Sequence, residues 1–136
     1  MLGNRLSHAM SPAAKWGCVA AYAGLVGFLS LLPGRSFPEL GSAFFFADKL
    51  VHFLMYGLMA AIACWAAASG RSLSVYAVSV IAVVCGCYGV LMEFLQELLR
   101  PMDRTFSLGD IGANFVGCVI AAYVCWAFLR RSKQAR

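Results

Sequence analysis

Charge is scarce in this chain. Of its 136 residues only 12% are Asp, Glu, Lys or Arg, against roughly 25% in an average soluble domain. Hydrophobic residues make up 62%, and the mean hydropathy is +0.78. A water-soluble fold of this size cannot hide so much apolar surface. The same composition excludes disorder, which needs low hydrophobicity. Apolar–polar alternation over strands of about ten residues is missing, so a transmembrane barrel is excluded. No basic patch is interleaved with aromatics on a polar face, which excludes a nucleic-acid partner despite the net charge of +5. Also missing are a Gly-rich phosphate loop, a His-Glu-x-x-His pair, a Ser-His-Asp order, an activated cysteine and an internal repeat. The length suits one domain, and its solvent is a lipid bilayer.

What the chain does have is four long apolar stretches, at about 16–32, 50–68, 73–100 and 111–129. Pro33-Gly34, Ser69-Gly70-Arg71, Pro101 and a basic tail over 130–136 end them in turn. Each is close to the ~20 residues that cross a hydrocarbon core as a helix. The expectation is an all-α membrane protein, a compact bundle of four transmembrane helices forming one domain over 1–136. The first stretch follows Arg5 and Lys15 as a signal sequence would. It is longer than the usual 7–15-residue apolar region, so it is read as a membrane helix that begins a few residues earlier.

The basic residues orient the bundle. Arg5, Lys15, Arg71, Arg130, Arg131, Lys133 and Arg136 fall on one side, and Arg35, Lys49, Arg100 and Arg104 on the other. The positive-inside rule puts both termini in the cytoplasm and the loops at 33–49 and 93–110 outside. Phe44, Phe45 and Phe46 in the first of these loops suit the headgroup region. The basic tail faces anionic lipid headgroups.

The six cysteines all lie in apolar runs. Cys85 and Cys87 point about 200° apart on a helix and cannot share a metal. They are read as small packing residues, with no disulfide, no zinc and no cofactor. Gly86 with Gly89, and Gly117 with Ala121, form small-residue faces on the third and fourth helices. Such faces let helices approach closely where lipid removes the hydrophobic drive.

The remaining polar residues gather at one end. The second helix opens with Asp48, Lys49, His52 and Tyr56, the last three within about 60° of one another. The third ends with Glu93, Gln96 and Glu97, on the face of its glycines. The fourth opens with Asp110 and Asn114, on the face of Gly117. Singly, each has an ordinary explanation. Asp110 completes a Ser107-x-x-Asp110 capping box. Asp48 caps the second helix or favours its dipole. Gln96 and Asn114 hold helices together, Glu93 pairs with Arg100 or Arg104, and Glu97 is solvated. Lys49 resists such a reading. A cation in a first turn opposes the helix dipole, so it needs Asp48, Glu93, Asp110 or a ligand beside it. Together the residues form one cluster from three helices, and ionisable groups inside a membrane mark function. His52, held by Asp48, is an acid–base candidate. The catalytic candidates are His52, Glu93 and Asp110. The expected binding set adds Asp48, Lys49, Tyr56, Gln96, Arg104 and Asn114. Arg100, Arg104 and Lys49 suit a phosphate or carboxylate. One histidine with Asp48, Glu93 and Asp110 also suits a divalent metal, but without the tight spacing of a metal motif none is assigned.

These residues also carry a resemblance. Asp48-Lys49-x-x-His52-Phe53-x-x-Tyr56 resembles the first signature of the VanZ-like family of small bacterial membrane proteins. Glu93-x-x-Gln96 followed by Arg104, Asp110, Asn114 and Gly117 resembles the second, and Leu31-Leu32-Pro33-Gly34 fits the end of the first helix. The likeness runs from about 25 to 121. One family position that often holds a small residue is Ala121 here. The family is named for a protein linked to low-level teicoplanin resistance. It implies a multi-pass protein of the bacterial inner membrane, with no settled activity. The expected function is binding of a cell-envelope, lipid or glycopeptide group in an outward-facing polar pocket. Membrane lipids, a cell-wall precursor or another lipid-linked molecule are the expected partners. An intramembrane enzyme acting on a lipid-linked phosphate, or a small proton-coupled transporter using Glu93, are the alternatives. A transporter places polar groups at mid-bilayer, and here they cluster at one end.

Overall fold

The structure, a computed structural model, describes residues 10–32, 42–69, 72–99 and 107–134. They form four helices: α1 (Pro12–Ser30), α2 (Ser42–Ala68), α3 (Val75–Leu98) and α4 (Leu108–Gln134). All four are long and apolar enough to cross a membrane. Ser11 and Ser74 start α1 and α3 by accepting the backbone N–H of Ala14 and Ala77. Pro12 then occupies the first position of α1, where a missing N–H costs nothing.

Two helix boundaries differ from the sequence reading. α2 begins at Ser42, well before 50. Phe44–Phe46 therefore lie in a helix and not in a loop, and Asp48 and Lys49 sit beyond the first turn. Asp48 is thus no N-cap, and the dipole argument for Lys49 weakens. The apolar span itself is Ala47–Ala68. Hydropathy marks where lipid begins, while the hydrogen-bond ladder starts earlier. α4 continues to Gln134, so Arg130, Arg131 and Lys133 of the basic tail are helical. Arg, Lys and Gln are good helix formers, and cations favour a helix C-terminus.

Cross-helix contacts fix the arrangement. α2 and α4 run parallel: Lys49 meets Asp110, His52 meets Asn114, and the Cys64 thiol faces the Ala122 carbonyl. α3 and α4 run antiparallel, with Ser79 on Tyr123 at one end and Glu93 on Ser107 at the other. α1 is antiparallel to α2, through Tyr22 Oη donating to the Met55 carbonyl. It is parallel to α3, through Tyr88 on Ala23 and Gln96 on Ser30. The result is an up-and-down bundle in which α1 is an integral member.

The core inverts the order of a soluble protein. Ala60, Ala63, Cys64, Ala82, Cys85, Cys118 and Ala122 are buried. Leu54, Leu58, Val84, Phe94, Val124 and Phe128 face outward. Small residues inside allow close backbone approach, and large apolar ones outside meet lipid. The tightest seam joins α2 to α4. A Cβ added at Gly117 would strike the carbonyl of Phe53, and one at Gly57 would lie 3.1 Å from the Gly117 carbonyl oxygen. Gly57 was not foreseen as part of this seam. Gly86 opens onto the ring of Phe115, and Gly89 onto the Asn114 amide. Three of the foreseen packing cysteines, Cys64, Cys85 and Cys118, sit in this core.

The two ends of the bundle differ. At the end carrying the termini of α1 and α4, Lys15 lies 5.2 Å over the Trp65 ring and Arg130 lies 4.8 Å over Trp126. The Trp126 indole donates to the Leu73 carbonyl at 2.9 Å. Tryptophan with cations is the usual furniture of a membrane interface. Lys15 is itself buried and lies within α1 rather than in the N-terminal tail. The opposite end holds the acidic residues and His52.

Candidate functional site

At that opposite end, polar side chains from three helices meet between the helices. Tyr56, Glu93, Gln96 and Asn114 are almost completely buried, and His52 and Asp110 nearly so. From Asp48 to Tyr56 the set descends about 12 Å along α2 at 1.5 Å per residue. It is therefore a column of polar side chains, a polar shaft, that runs from one end of the bundle into its interior.

Lys49 finds its anion across the α2–α4 seam. Its Nζ lies 2.6 Å from Asp110 Oδ1, with side chains 24% and 10% exposed. The register of the parallel helices selects Asp110 from the three carboxylates that sequence allowed. His52 lies one turn further in. Its Nδ1 is 3.2 Å from Asn114 Oδ1 and 4.0 Å from Glu93 Oε1, and its Nε2 is 3.9 Å from Asp48 Oδ1. Tyr56 stacks on the imidazole, rings 6.2 Å apart and 13° from parallel.

The expected capping box forms by half. Ser107 Oγ accepts the Asp110 N–H at 3.3 Å, as foreseen. The reciprocal bond is diverted: the Ser107 N–H donates to Glu93 Oε2 at 3.1 Å, and the Asp110 carboxylate turns to Lys49. Glu93 thereby ties the start of α4 to the end of α3. Gln96 behaves as the expected interhelical tie, its Nε2 donating to the Ser30 carbonyl at 2.6 Å. It faces α1 rather than the shaft. Arg100 and Arg104 lie outside the described residues, as does any pairing of Glu93 with them.

Two buried groups remain without hydrogen-bond partners among the described residues: the Tyr56 hydroxyl and Asn114 Nδ2. The Tyr56 hydroxyl lies near Ser30 without reaching hydrogen-bond geometry. Each unmatched polar group costs about 1–3 kcal/mol, and both belong to side chains touching His52. Asp48, His52 and Asp110 each offer one ligand atom, all within 4.8 Å of one another.

Asp48, Lys49, His52, Tyr56, Glu93, Asp110 and Asn114 thus meet as one set. Ser30, Ser107 and Tyr88 belong to its surroundings and were not among the expected site residues. Ser107 alone carried a signal, as the head of the capping box. Chemically the set offers an imidazole between carboxylates, an ammonium at the rim and unmatched polar groups at the floor.

The sequence model of a family described as VanZ/LLP1 matches residues 9–130. An uncharacterized protein of Schizosaccharomyces pombe is 37% identical over 75 residues, which is 54% of this chain and 43% of the relative. The matched stretch thus spans less than half the length of that relative. No solved structure matches this chain.

Proposed function

The chain belongs to the VanZ/LLP1 family, and from that premise we propose that this multi-pass membrane protein binds the phosphate-bearing headgroup of a membrane lipid or lipid-linked envelope precursor. The binding site is the polar shaft. One observation carries the reading: seven polar side chains from α2, α3 and α4 are drawn together at one membrane end. Burying Glu93, Asn114 and His52 in lipid is expensive and is tolerated where a ligand or mutual pairing offsets it. A position between helices at one end of the bundle suits a headgroup whose tails stay in the bilayer. Lys49 at the rim supplies a cation for an anionic oxygen, with Arg104 assigned to the same role.

The same reading puts the shaft on the outer face of a bacterial inner membrane, with both termini cytoplasmic. The basic residues near the α1 and α4 ends support this orientation. A C-terminal alkaline phosphatase fusion is expected to stay inactive and a C-terminal green fluorescent fusion to fluoresce. The reverse pattern would invert the topology.

Native mass spectrometry of the protein extracted with endogenous lipid tests the site. Wild type is expected to retain a phosphate-bearing lipid. His52→Ala and Glu93→Gln are expected to lose about 90% of it, a loss of about 1.4 kcal/mol in binding. Trp126→Phe, at the far end, is expected to retain it. Equal retention by all variants at unchanged melting temperature would reject the site.

A catalytic version of this reading draws on one specific feature. His52 is flanked by Asp48 on one ring nitrogen and by Asn114 and Glu93 on the other, the environment of an oriented acid–base group. Asp110, held by Lys49, is then an electrostatic partner rather than a proton carrier. Phosphate release by the wild type from its retained lipid is the expected result of turnover, and lipid recovered intact after incubation is the result of binding alone.

A further inference from the structure

We infer that Asp48, His52 and Asp110 form a divalent-cation site at the mouth of the shaft, and that this cation receives the headgroup phosphate. The cation site stands on its own geometry; only the phosphate contact rests on the function proposed above.

The argument begins with charge. Among the described residues, the carboxylates of Asp48 and Glu93 face His52, and that of Asp110 meets the Lys49 ammonium. A phosphate approaching them meets like charge, and burial strengthens the repulsion. A divalent cation reverses the sign at the point where the headgroup must enter.

The histidine supplies the second step. Both atoms facing Nδ1, Asn114 Oδ1 at 3.2 Å and Glu93 Oε1 at 4.0 Å, are acceptors. A neutral imidazole therefore carries its proton on Nδ1 and turns its lone pair, on Nε2, toward Asp48 Oδ1 at 3.9 Å. Two acceptors facing each other repel unless a cation or proton lies between them. A metal-bound imidazole whose other N–H is held by an outer acceptor is the common arrangement in metal sites.

Distances agree. Metal–ligand bonds of about 2.0–2.3 Å put ligand atoms about 3–4 Å apart. The three ligand atoms already lie within 4.8 Å of one another, so small side-chain rotations close the site. Lys49 meets Asp110 at Oδ1, and a carboxylate has a second oxygen to offer a cation.

The support of His52 is itself built in. Asn114 is fully buried and sets its Oδ1 against His52 Nδ1 at 3.2 Å, while its unmatched Nδ2 faces Gly89 on α3. A buried outer acceptor in this position fixes the imidazole and leaves Nε2 for a ligand. One imidazole with two carboxylates suits Mn²⁺, Mg²⁺ or Zn²⁺ better than soft, thiolate-seeking ions. Three protein ligands leave coordination positions for phosphate oxygens.

Mn²⁺ alone is the probe, followed by loss of its free-ion electron paramagnetic resonance signal on titration of the purified full chain. Wild type is expected to bind one Mn²⁺ per chain, saturably. Asp48→Asn, at a side chain that is 32% exposed, is expected to weaken binding at least about tenfold, and Asn114→Ala to weaken it about tenfold through His52. Unchanged melting temperature of Asp48→Asn without Mn²⁺ separates this loss from unfolding. No saturable binding up to about 1 mM, the weak end of biological divalent sites, would overturn the inference. So would equal binding by Asp48→Asn. Lipid retention measured in a chelator separates the two claims. Lipid retained without metal, with no Mn²⁺ bound, rejects the cation and keeps the headgroup. Mn²⁺ bound with no lipid retained rejects the headgroup and keeps the cation.

Discussion

Gly117→Val is expected to lower the stability of the bundle by about 3 kcal/mol, the upper range for overpacking a close contact. A Cβ at this position would run into the backbone carbonyl of Phe53. Backbone cannot swing aside as a side chain does, so α2 and α4 must separate. Separation pulls apart the contacts on either side of Gly117, Lys49–Asp110 and His52–Asn114 toward one end and Cys64–Ala122 toward the other. Helix propensity acts in the opposite direction, because valine is a better helix former than glycine by about 0.4 kcal/mol. The steric term is several times larger and decides the sign. Gly112→Val is the control, since nothing lies within 4 Å of a Cβ there. Thermal unfolding in detergent is expected to show a large drop for Gly117→Val and almost none for Gly112→Val. Coincident melting curves would mean that the seam is looser than described.

Lys49→Met is expected to destabilise the protein by about 3 kcal/mol, the lower range for breaking a buried ion pair. The Lys49–Asp110 pair is not a surface bridge, for the Asp110 side chain is only 10% exposed. Exposed pairs contribute about 0–1 kcal/mol. What makes this one costly to break is the carboxylate left behind at the bilayer edge. Adding Asp110→Asn removes that carboxylate. The double variant is expected to recover most of the loss, with a coupling energy of about 2 kcal/mol in a double-mutant cycle. Additive effects would mean that the two groups act independently and that the 2.6 Å contact contributes little.

Both experiments probe the α2–α4 register, which the sequence did not reveal. The sequence made Lys49's need for an anion plain but left three candidates, because choosing among them requires knowing how one helix slides against another. It suggested capping for Asp110, and Ser107 does accept that N–H. The other half of the box went to Glu93 because α3 ends beside the start of α4, a fact of tertiary packing. Asp48 was a plausible cap only while α2 was thought to begin near 50; with the start at Ser42, its role is to face His52. Lys15 read as a charge preceding the first span, whereas in the bundle it is buried against Trp65. Ser30 carried no signal, for nothing marks a helix-end carbonyl as the partner of a glutamine in another span.

The amino-acid order alone determined the lipid solvent, the four spans, their helical form and the gathering of acidic groups and His52 at one end. These follow from composition and from the demand that backbone polar groups in lipid satisfy one another, both local properties. The packed structure decided which charges meet, which glycines form the seam and which buried hydrogen bonds go unmade. Those depend on the rotation and sliding of rods past one another. Differences of about 1.5 Å, one residue along a helix, change every partner without altering any span.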